Sequence, residues 1–281
     1  MKKRLFLLLS VLVLPWVHAQ KTEKIKGNRE VVTKIYPLPP FKAVEVGDDL
    51  HVTLKPAADT TALELRADSN LHDVLQWNVT DSVLHLSLTK EILKKKAFDI
   101  TLFAGKELSR IKIYESARLE TDGKLSFPRI RLETAGYAKA EAAFLIRDTL
   151  EILMKEKSKL VLDADAKNMT ATLQNGAHLK ASLTGKYLEL TASGSSKAQL
   201  GGSMKHVLWK LKEKAECNGA NLGVKNRAEV HLDDKTEAEL KGRGAVIVMF
   251  LTGKSQLELS GNFKKYELEK FRDHSVLSRK P

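Results

Sequence analysis

The sequence predicts an all-β fold, a parallel β-solenoid (β-helix) whose coils are each about 20 residues long. Three observations support this prediction. Short runs alternate apolar with polar residues, which indicates strands with one buried face. Breaks rich in Gly, Asn and Ser interrupt these runs and provide tight backbone bends. The breaks also recur at a nearly constant spacing, which is typical of solenoid proteins.

Residues 1–19 have the three-part layout of a secretory signal peptide. Lys2-Lys3-Arg4 precede the apolar run 5–14, and Val17 and Ala19 place small residues at the −3 and −1 positions before Gln20. The apolar run is shorter than the ~20 residues that a transmembrane helix needs. We therefore expect cleavage after Ala19, no transmembrane span after cleavage, and a periplasmic, outer-membrane-associated or extracellular location.

The remaining chain divides into three parts. Residues 20–40 are expected to form a flexible lead-in, as terminal segments commonly do. Residues 41–105 contain several alternating runs of less regular spacing, which predicts a strand-rich N-terminal part. Residues 106–281 contain the regular repeat. No Pro-rich or Ser-rich linker separates the last two parts, so they are expected to form one continuous body.

The repeat is recognised by a small residue that follows each polar break. Eight copies have these residues at Ala117, Ala138, Ser158, Ala177, Ser196, Ala215, Thr236 and Ser255. The differences between successive positions are 21, 20, 19, 19, 19, 21 and 19. A ninth, degraded copy, FRDHSVL, would place His274 at the equivalent position, 19 residues after Ser255. A helical repeat would be longer and would show helical periodicity, which is absent.

The alternation within each copy predicts which residues face inward. The second residue after each small residue should be buried and should stack on its equivalents in neighbouring coils. This interior column contains Leu119, Leu160, Leu179, Cys217 and Leu257. Cys217 is the only cysteine, so no intrachain disulfide can form. Its apolar position predicts a buried, inert thiol.

The residue directly after each small residue should face outward. In five successive copies it is basic or a histidine, and then it becomes acidic or neutral. We call the first five residues the basic column: Arg118, Lys139, Lys159, His178 and Lys197. Two interpretations remain open. The column is either a solvated face whose charges are balanced by nearby glutamates, or a contact surface for a polyanion.

The sequence contains no recognisable catalytic or cofactor-binding motif, and no cofactor is expected. Asp163, Asp165 and Asn168 resemble part of a calcium loop but lack the glycine and the distal glutamate of an EF-hand. We therefore predict no metal site and interpret the Asp233-Asp234 pair as a corner. The net charge of +12 favours polyanionic partners, but no nucleic-acid-binding module accompanies it.

The segments FKAVEVGDDLHVTL and FDITLFAGKELSRIKIYESARLETDGKL resemble the auto-transporter adhesin, head GIN domain family. The resemblance extends from about Phe41 to Tyr266. The family's Ser-Gly-Ala phrase is present as TASGSSKA, whereas other copies have the charged segments KEKSK, KEKAE and DDKTE. The resemblance implies an exported β-helical domain with an adhesin role.

These observations predict a non-catalytic, exported, adhesin-like binding module. Its expected partner is an acidic polysaccharide or another cell-surface component, contacted by the basic column. The alternative is a β-helix enzyme, a lyase or hydrolase, that acts on polysaccharides. Such an enzyme needs two or more carboxyl groups close together in a groove, within about 10 Å of each other.

Overall fold

The computed structural model describes residues 23–57 and 60–280. The predicted fold class is confirmed: the protein is a parallel β-solenoid of about nine turns whose repeat is about 20 residues. The expected signal peptide, residues 1–19, lies outside the described residues.

Before the long strands, the described residues 23–57 and 60–113 contain ten short strands and one 3-10 helix. The strands are β1 (Lys24–Lys26), β2 (Val31–Pro37), β3 (Ala43–Val46), β4 (His51–Pro56), β5 (Ala62–Asp68), β6 (Leu75–Thr80), β7 (Val83–Leu88), β8 (Glu91–Lys94), β9 (Phe98–Ala104) and β10 (Arg110–Ile113). The 3-10 helix, Ser69–Val74, connects β5 to β6. The solenoid coils follow as long, bent strands.

These long strands each form most of one coil. They are β11 (Arg118–Thr134), β12 (Lys139–Met154), β13 (Lys159–Leu173), β14 (His178–Ala192), β15 (Lys197–Leu211), β16 (Glu216–Leu232), β17 (Glu237–Leu251) and β18 (Gln256–Phe271), followed by the short β19 (Val276–Arg279). Each pairs in parallel with the next along the chain. Equivalent residues of neighbouring coils therefore lie about 4.8 Å apart.

The predicted interior column is confirmed. Leu119, Leu160, Leu179, Cys217 and Leu257 are all buried. In the ladder they alternate with Ala140, Ala198 and Ala238, which are buried as well. The eight small residues that precede the column are also buried, because each lies where the chain turns back into the core.

The core accommodates the large side chain of Trp209 because a glycine in the next coil stands where other coils have leucine. Trp209 of β15 is fully buried. A Cβ atom added to Gly219 of β16 would lie 2.5 Å from the Trp209 ring. Gly219 stands in the row that holds Leu162, Leu200 and Leu240 in other coils. The glycine therefore creates the space that the indole fills, as close packing requires.

Local insertions explain why the spacing of the small residues is not constant. Thr121, Asp122 and Gly123 of β11 together oppose Ala142 of β12. In β16, Gly219 and Ala220 oppose the single residue Leu200 of β15. Bulges of this kind bend the strand without disturbing the ladder on either side.

The ninth copy is shifted by a single position from the expectation. Val276 pairs with Gln256, so Ser275, and not His274, is the equivalent of Ser255. The Ser255 hydroxyl lies 3.3 Å from that of Ser275. His274 instead follows Asp273, the residue with positive φ at this corner.

The N-terminal part differs from the expectation in two ways. The lead-in is not a loose segment, because β2 pairs along its whole length with β5 and β1 pairs with β8. In addition, β3 and β4 form a further coil, since β3 pairs in parallel with β10 and β4 with β11. Along the chain, the strands β5 to β9 come between this coil and the next coil, which β10 and the start of β11 form.

A residue with positive φ occupies the corner before each small residue. These residues are Asp48, Glu115, Gly136, Glu156, Asn175, Gly194, Glu213, Asp234, Gly253 and Asp273. Where the residue is acidic, its carboxylate can accept a hydrogen bond from the equivalent N–H of the preceding coil. The Glu156 carboxylate accepts from Gly136 N at 2.6 Å, and Asp273 accepts from Gly253 N at 3.0 Å. The charged corners therefore replace the conformational freedom of glycine with a hydrogen bond.

Candidate binding face

The structure places the five residues of the basic column side by side. Arg118 pairs with Lys139, Lys139 with Lys159, Lys159 with His178, and His178 with Lys197. All five are exposed. Because neighbouring strands are about 4.8 Å apart, the column is a straight row about 19 Å long.

His51 extends this row by one coil, and sequence analysis missed it. It pairs with Arg118 through the β4–β11 ladder and lies 3.5 Å from Glu120. The small-residue rule failed here because the equivalent of Ala117 is Leu50, a large residue, and because this coil lies much earlier in the chain. The alternating phrase VEVGDDLHVTL, which matches IKIYESARLET, was the available signal.

Ion pairing divides the column. The Lys197 ammonium lies 2.7 Å from the Glu216 carboxylate of the next coil. Within residues 23–57 and 60–280, Arg118, Lys139 and Lys159 form no salt bridge. These first three residues of the column can therefore bind an anionic ligand without first breaking an ion pair.

The same face changes sign beyond Lys197. Glu216 pairs side by side with Glu237, and Glu239 with Glu258, so acidic residues follow the basic ones. Lys280 partly neutralises this acidic half, since its ammonium lies 3.1 Å from Glu239 and 2.6 Å from Glu258. A polyanion would be attracted to the basic half of the face and repelled from the acidic half.

A groove runs beside the basic column across the same coils. It has a volume of about 460 Å³, within the range of ligand-binding clefts. Its lining includes outward side chains two positions further along each strand than the column, among them Glu141, Val161, Lys180 and Gln199. Gly123 of the β11 bulge and Asn221, next to the β16 bulge, also line it. We infer that the two bulges mark the ends of the groove.

A second basic row lies at a corner of the coils. We call it the corner ridge: Arg147, Lys167, Lys186, Lys205 and Lys225, all of them exposed. Residues on both sides of Lys167, Lys186 and Lys205 pair in register, and at the two ends of the row Arg147 and Lys225 each lie beside one extra residue. Sequence analysis missed this ridge because Arg147 and Lys225 lie beside extra residues in β12 and β16, which shift their distance from the small residue.

The acidic residues considered for a metal site are bound by a lysine. The Lys124 ammonium lies 2.7 Å from Asp165 and 3.4 Å from Asp163. Asn168 does not join them, since its amide contacts Asp148 at 3.5 Å. In the described part of the chain, no group of three or more His, Cys, Asp or Glu side chains could hold a metal ion.

The carboxyl spacing expected of a polysaccharide-acting enzyme is present in the acidic half. Glu216 and Glu237 are neighbours in the ladder, about 4.8 Å apart at Cα. However, Glu216 is held by an ion pair with Lys197 of the preceding coil, at 2.7 Å.

Two other predicted features have clear positions. Cys217 is buried, and this burial raises the pKa of its thiol well above the usual value, as expected of an inert side chain. Asp234 does form a corner, where its φ is 62°. Among the residues that the structure describes, no helix is long and apolar enough to cross a membrane.

Comparison with solved structures identifies proteins with the same fold. One, from Parabacteroides distasonis and described as a "putative lipid binding protein", has a TM-score of 0.62 and 13% identity. Another, from Parabacteroides merdae and described as a "putative adhesin", has a TM-score of 0.60 and 14% identity. Each alignment covers 92% of this chain and 100% of the other. No curated protein matches the chain.

A family model provides the sequence relationship. The family described as "Putative auto-transporter adhesin, head GIN domain" matches residues 40–184. The match begins with the β3–β4 coil and continues into β14, so it includes four of the five residues of the basic column. It spans just over half of the 281 residues. The protein therefore belongs to the auto-transporter adhesin, head GIN domain family.

Proposed function

We propose that the protein is a non-catalytic, exported binding module whose basic column contacts an acidic polymer, such as an anionic cell-envelope or extracellular glycan. The observation that supports this most directly is the register of the column. Exposed basic side chains repeat about every 4.8 Å along a straight row. A repeating anionic chain can contact several of them at once, whereas a small ligand would use only one or two.

The groove beside the column supports a polymer that lies along the solenoid axis. Val161 is exposed and apolar in the middle of its lining, next to Lys180 in the neighbouring strand. Among the described residues that line the groove, Lys180 is the only cation, and the carboxylates of Glu141 and Asp163 also line it. A sugar ring could place its C–H face on the apolar surface while its acidic group contacts Lys180 or the column. The main-chain groups are occupied in the parallel ladders, so side chains would provide the hydrogen bonds.

Individual contacts in such a site are weak, because the side chains are exposed and their charges are screened by salt. Several contacts made by one polymer add to a useful avidity. Binding should therefore require a chain long enough to span several coils, and it should weaken steeply as the ionic strength rises.

The test is the triple variant Lys139→Gln, Lys159→Gln, Lys197→Gln, which removes three charges at similar side-chain length. We expect its affinity for acidic polysaccharides to fall by about tenfold or more, since each exposed contact contributes roughly 0.2–1 kcal/mol. Binding is measured by titration calorimetry and on a glycan array at several salt concentrations. A variant that binds as well as the parent would show that the column is only a solvated face.

The matched control is Lys167→Gln, Lys186→Gln, Lys205→Gln, which removes the same net charge from the corner ridge. It should retain the affinity of the parent for the polysaccharide. If both triple variants lose affinity equally, the total charge and not the column determines binding, and the proposal is wrong.

The neighbouring carboxylates Glu216 and Glu237 favour one second candidate, a polysaccharide lyase or hydrolase. The pairing of Glu216 with Lys197 opposes it. Incubation of the protein with the acidic polysaccharides that it binds, followed by chain-length analysis of the products, distinguishes the two. Depolymerisation that is lost in Glu237→Gln would establish the enzyme.

A further inference from the structure

The corner ridge carries a cation in every one of its five coils. Each of the strands β12 to β16 contributes one exposed Lys or Arg, and the exposed Asp148 lies next to Arg147 at the β12 end of the row. None of the five forms a salt bridge within the described residues. By contrast, the basic column contains a histidine and has Lys197 paired with Glu216.

The ridge projects outward, unlike the groove beside the basic column. The alternation of inward and outward residues breaks here, and two consecutive residues face solvent. Lys186 and Tyr187 are both exposed, as are Arg147 and Asp148. The chain therefore turns a convex corner, which cannot enclose a ligand. A straight, convex row of cations fits a partner that is itself broad, flat and negatively charged.

Exposed apolar side chains lie on both sides of the ridge. Leu145, two positions before Arg147, is 50% exposed, and Tyr187, next to Lys186, is 51% exposed. The Tyr187 ring stacks on His206 of the next coil at 4.8 Å, which holds it in a fixed position. Tyrosine is favoured where an apolar surface meets water, and lipid headgroups provide such a boundary.

We propose that the corner ridge docks the protein onto an anionic lipid membrane. Its five cations would contact the lipid phosphates, and Leu145 and Tyr187 would reach the headgroup layer. The ridge is about 19 Å long at the spacing of parallel strands. This site is separate from the polymer site of the proposed function, because the column and the ridge lie on different segments of each coil.

The experiment is co-sedimentation of the mature chain with phosphatidylcholine vesicles that do or do not contain phosphatidylglycerol. The parent should bind only the anionic vesicles, and less as salt is added. The variant Lys167→Gln, Lys186→Gln, Lys205→Gln should bind them about 100-fold more weakly, because each of the three basic residues near an anionic surface contributes on the order of fivefold.

The column variant Lys139→Gln, Lys159→Gln, Lys197→Gln is the matched control, since it carries the same net charge. It should sediment with anionic vesicles as the parent does. If both variants lose vesicle binding equally, total charge explains the effect and the proposal is overturned. Failure of the parent protein to bind anionic vesicles would overturn it as well. A ridge variant that keeps vesicle binding but loses polysaccharide binding would also overturn it, and would assign the polymer to the ridge instead of the column.

Discussion

At the scale of single residues, a buried carboxylate outside both basic rows holds several segments together. Asp68 is completely buried at the end of β5. Its carboxylate accepts hydrogen bonds from the backbone N–H groups of Arg29, Lys96 and Ala97. One side chain thus ties Arg29 of the lead-in and the β8–β9 connection to β5, which helps to hold residues 23–40 on the fold.

Replacing Asp68 with Asn should destabilise the protein in a pH-dependent way. Burial raises the pKa of Asp68, but the three N–H donors and nearby Lys96 outweigh it, so the pKa lies below its usual value. A lowered pKa stabilises the fold above the unfolded-state pKa of about 3.9, and this contribution is lost as the pH falls through the folded-state pKa. Asp68→Asn should therefore melt several degrees lower at neutral pH, and the difference should shrink in acid.

Thermal melts from neutral pH down to about pH 3 measure this effect. The control is Asp99→Asn, which removes an exposed carboxylate 2.7 Å from Arg66 and should change the melting temperature little. A pH-independent difference for Asp68→Asn would contradict the electrostatic explanation.

At the scale of one coil, the sequence predicted the parts that follow from local chemistry. Alternation and constant spacing were sufficient to place Leu160, Leu179 and Cys217 inside, because period-two patterns are decided over a short stretch of chain. The sequence did not predict where β11 and β16 bulge, since a bulge depends on how many residues the neighbouring strand has at the same place in the ladder. The groove depends on those bulges, and the alignment of the corner ridge depends on the extra residues beside Arg147 in β12 and Lys225 in β16, so neither was foreseen.

Glu213 tests the role of the charged corners. Its φ is 63°, and its carboxylate accepts a hydrogen bond from Gly194 N at 2.5 Å. Glu213→Ala keeps the strained backbone and loses the bond, which should cost about 1 kcal/mol or slightly more. Glu213→Gly also loses the bond but removes the strain, worth about 1–2 kcal/mol, so it should be close to the parent in stability.

Urea unfolding of the two variants checks this ranking. Gly194→Ala is a useful reference, because a Cβ at that position would lie 3.0 Å from Asn175 N at a φ of 70°. It should be less stable than the parent. Equal stability of Glu213→Ala and the parent would mean that the corner hydrogen bond contributes nothing.

At the scale of the whole molecule, each coil contacts mainly its two neighbours, so stability should be nearly a sum of coil and interface contributions. The N-terminal coil β3–β4 belongs to this stack although the whole β5–β9 excursion separates it in sequence from its partner strands β10 and β11. The regular repeat did not reveal that relationship, because VEVGDDLHVTL and the matching phrase IKIYESARLET are separated by much more than one repeat. The excursion pairs back onto β2 and β4 and so lies at this end of the stack.

Leu179→Asp should show how far a local defect spreads. It places an unpaired charge in the interior column of β14, which should cost about 3–5 kcal/mol. Cys217 lies two coils away and reports on the opening of β16. We expect its reaction with a thiol reagent under native conditions to be slow in the parent and much faster in Leu179→Asp.

Thr184→Asp, an exposed position on the same strand, is the control and should label as slowly as the parent. Slow labelling in Leu179→Asp would show that neighbouring coils are less strongly coupled than a solenoid requires. Fast labelling of the parent would contradict the buried position of Cys217.

The two bulges also have a consequence for how such a protein can change. Between them, β13 and β14 pair position for position without a register shift. Duplicating or deleting one such segment would lengthen or shorten the groove and both basic rows by a single rung, leaving the bulges intact. The length of the binding face is thus a whole number of coils, and evolution or engineering can change it by one coil at a time.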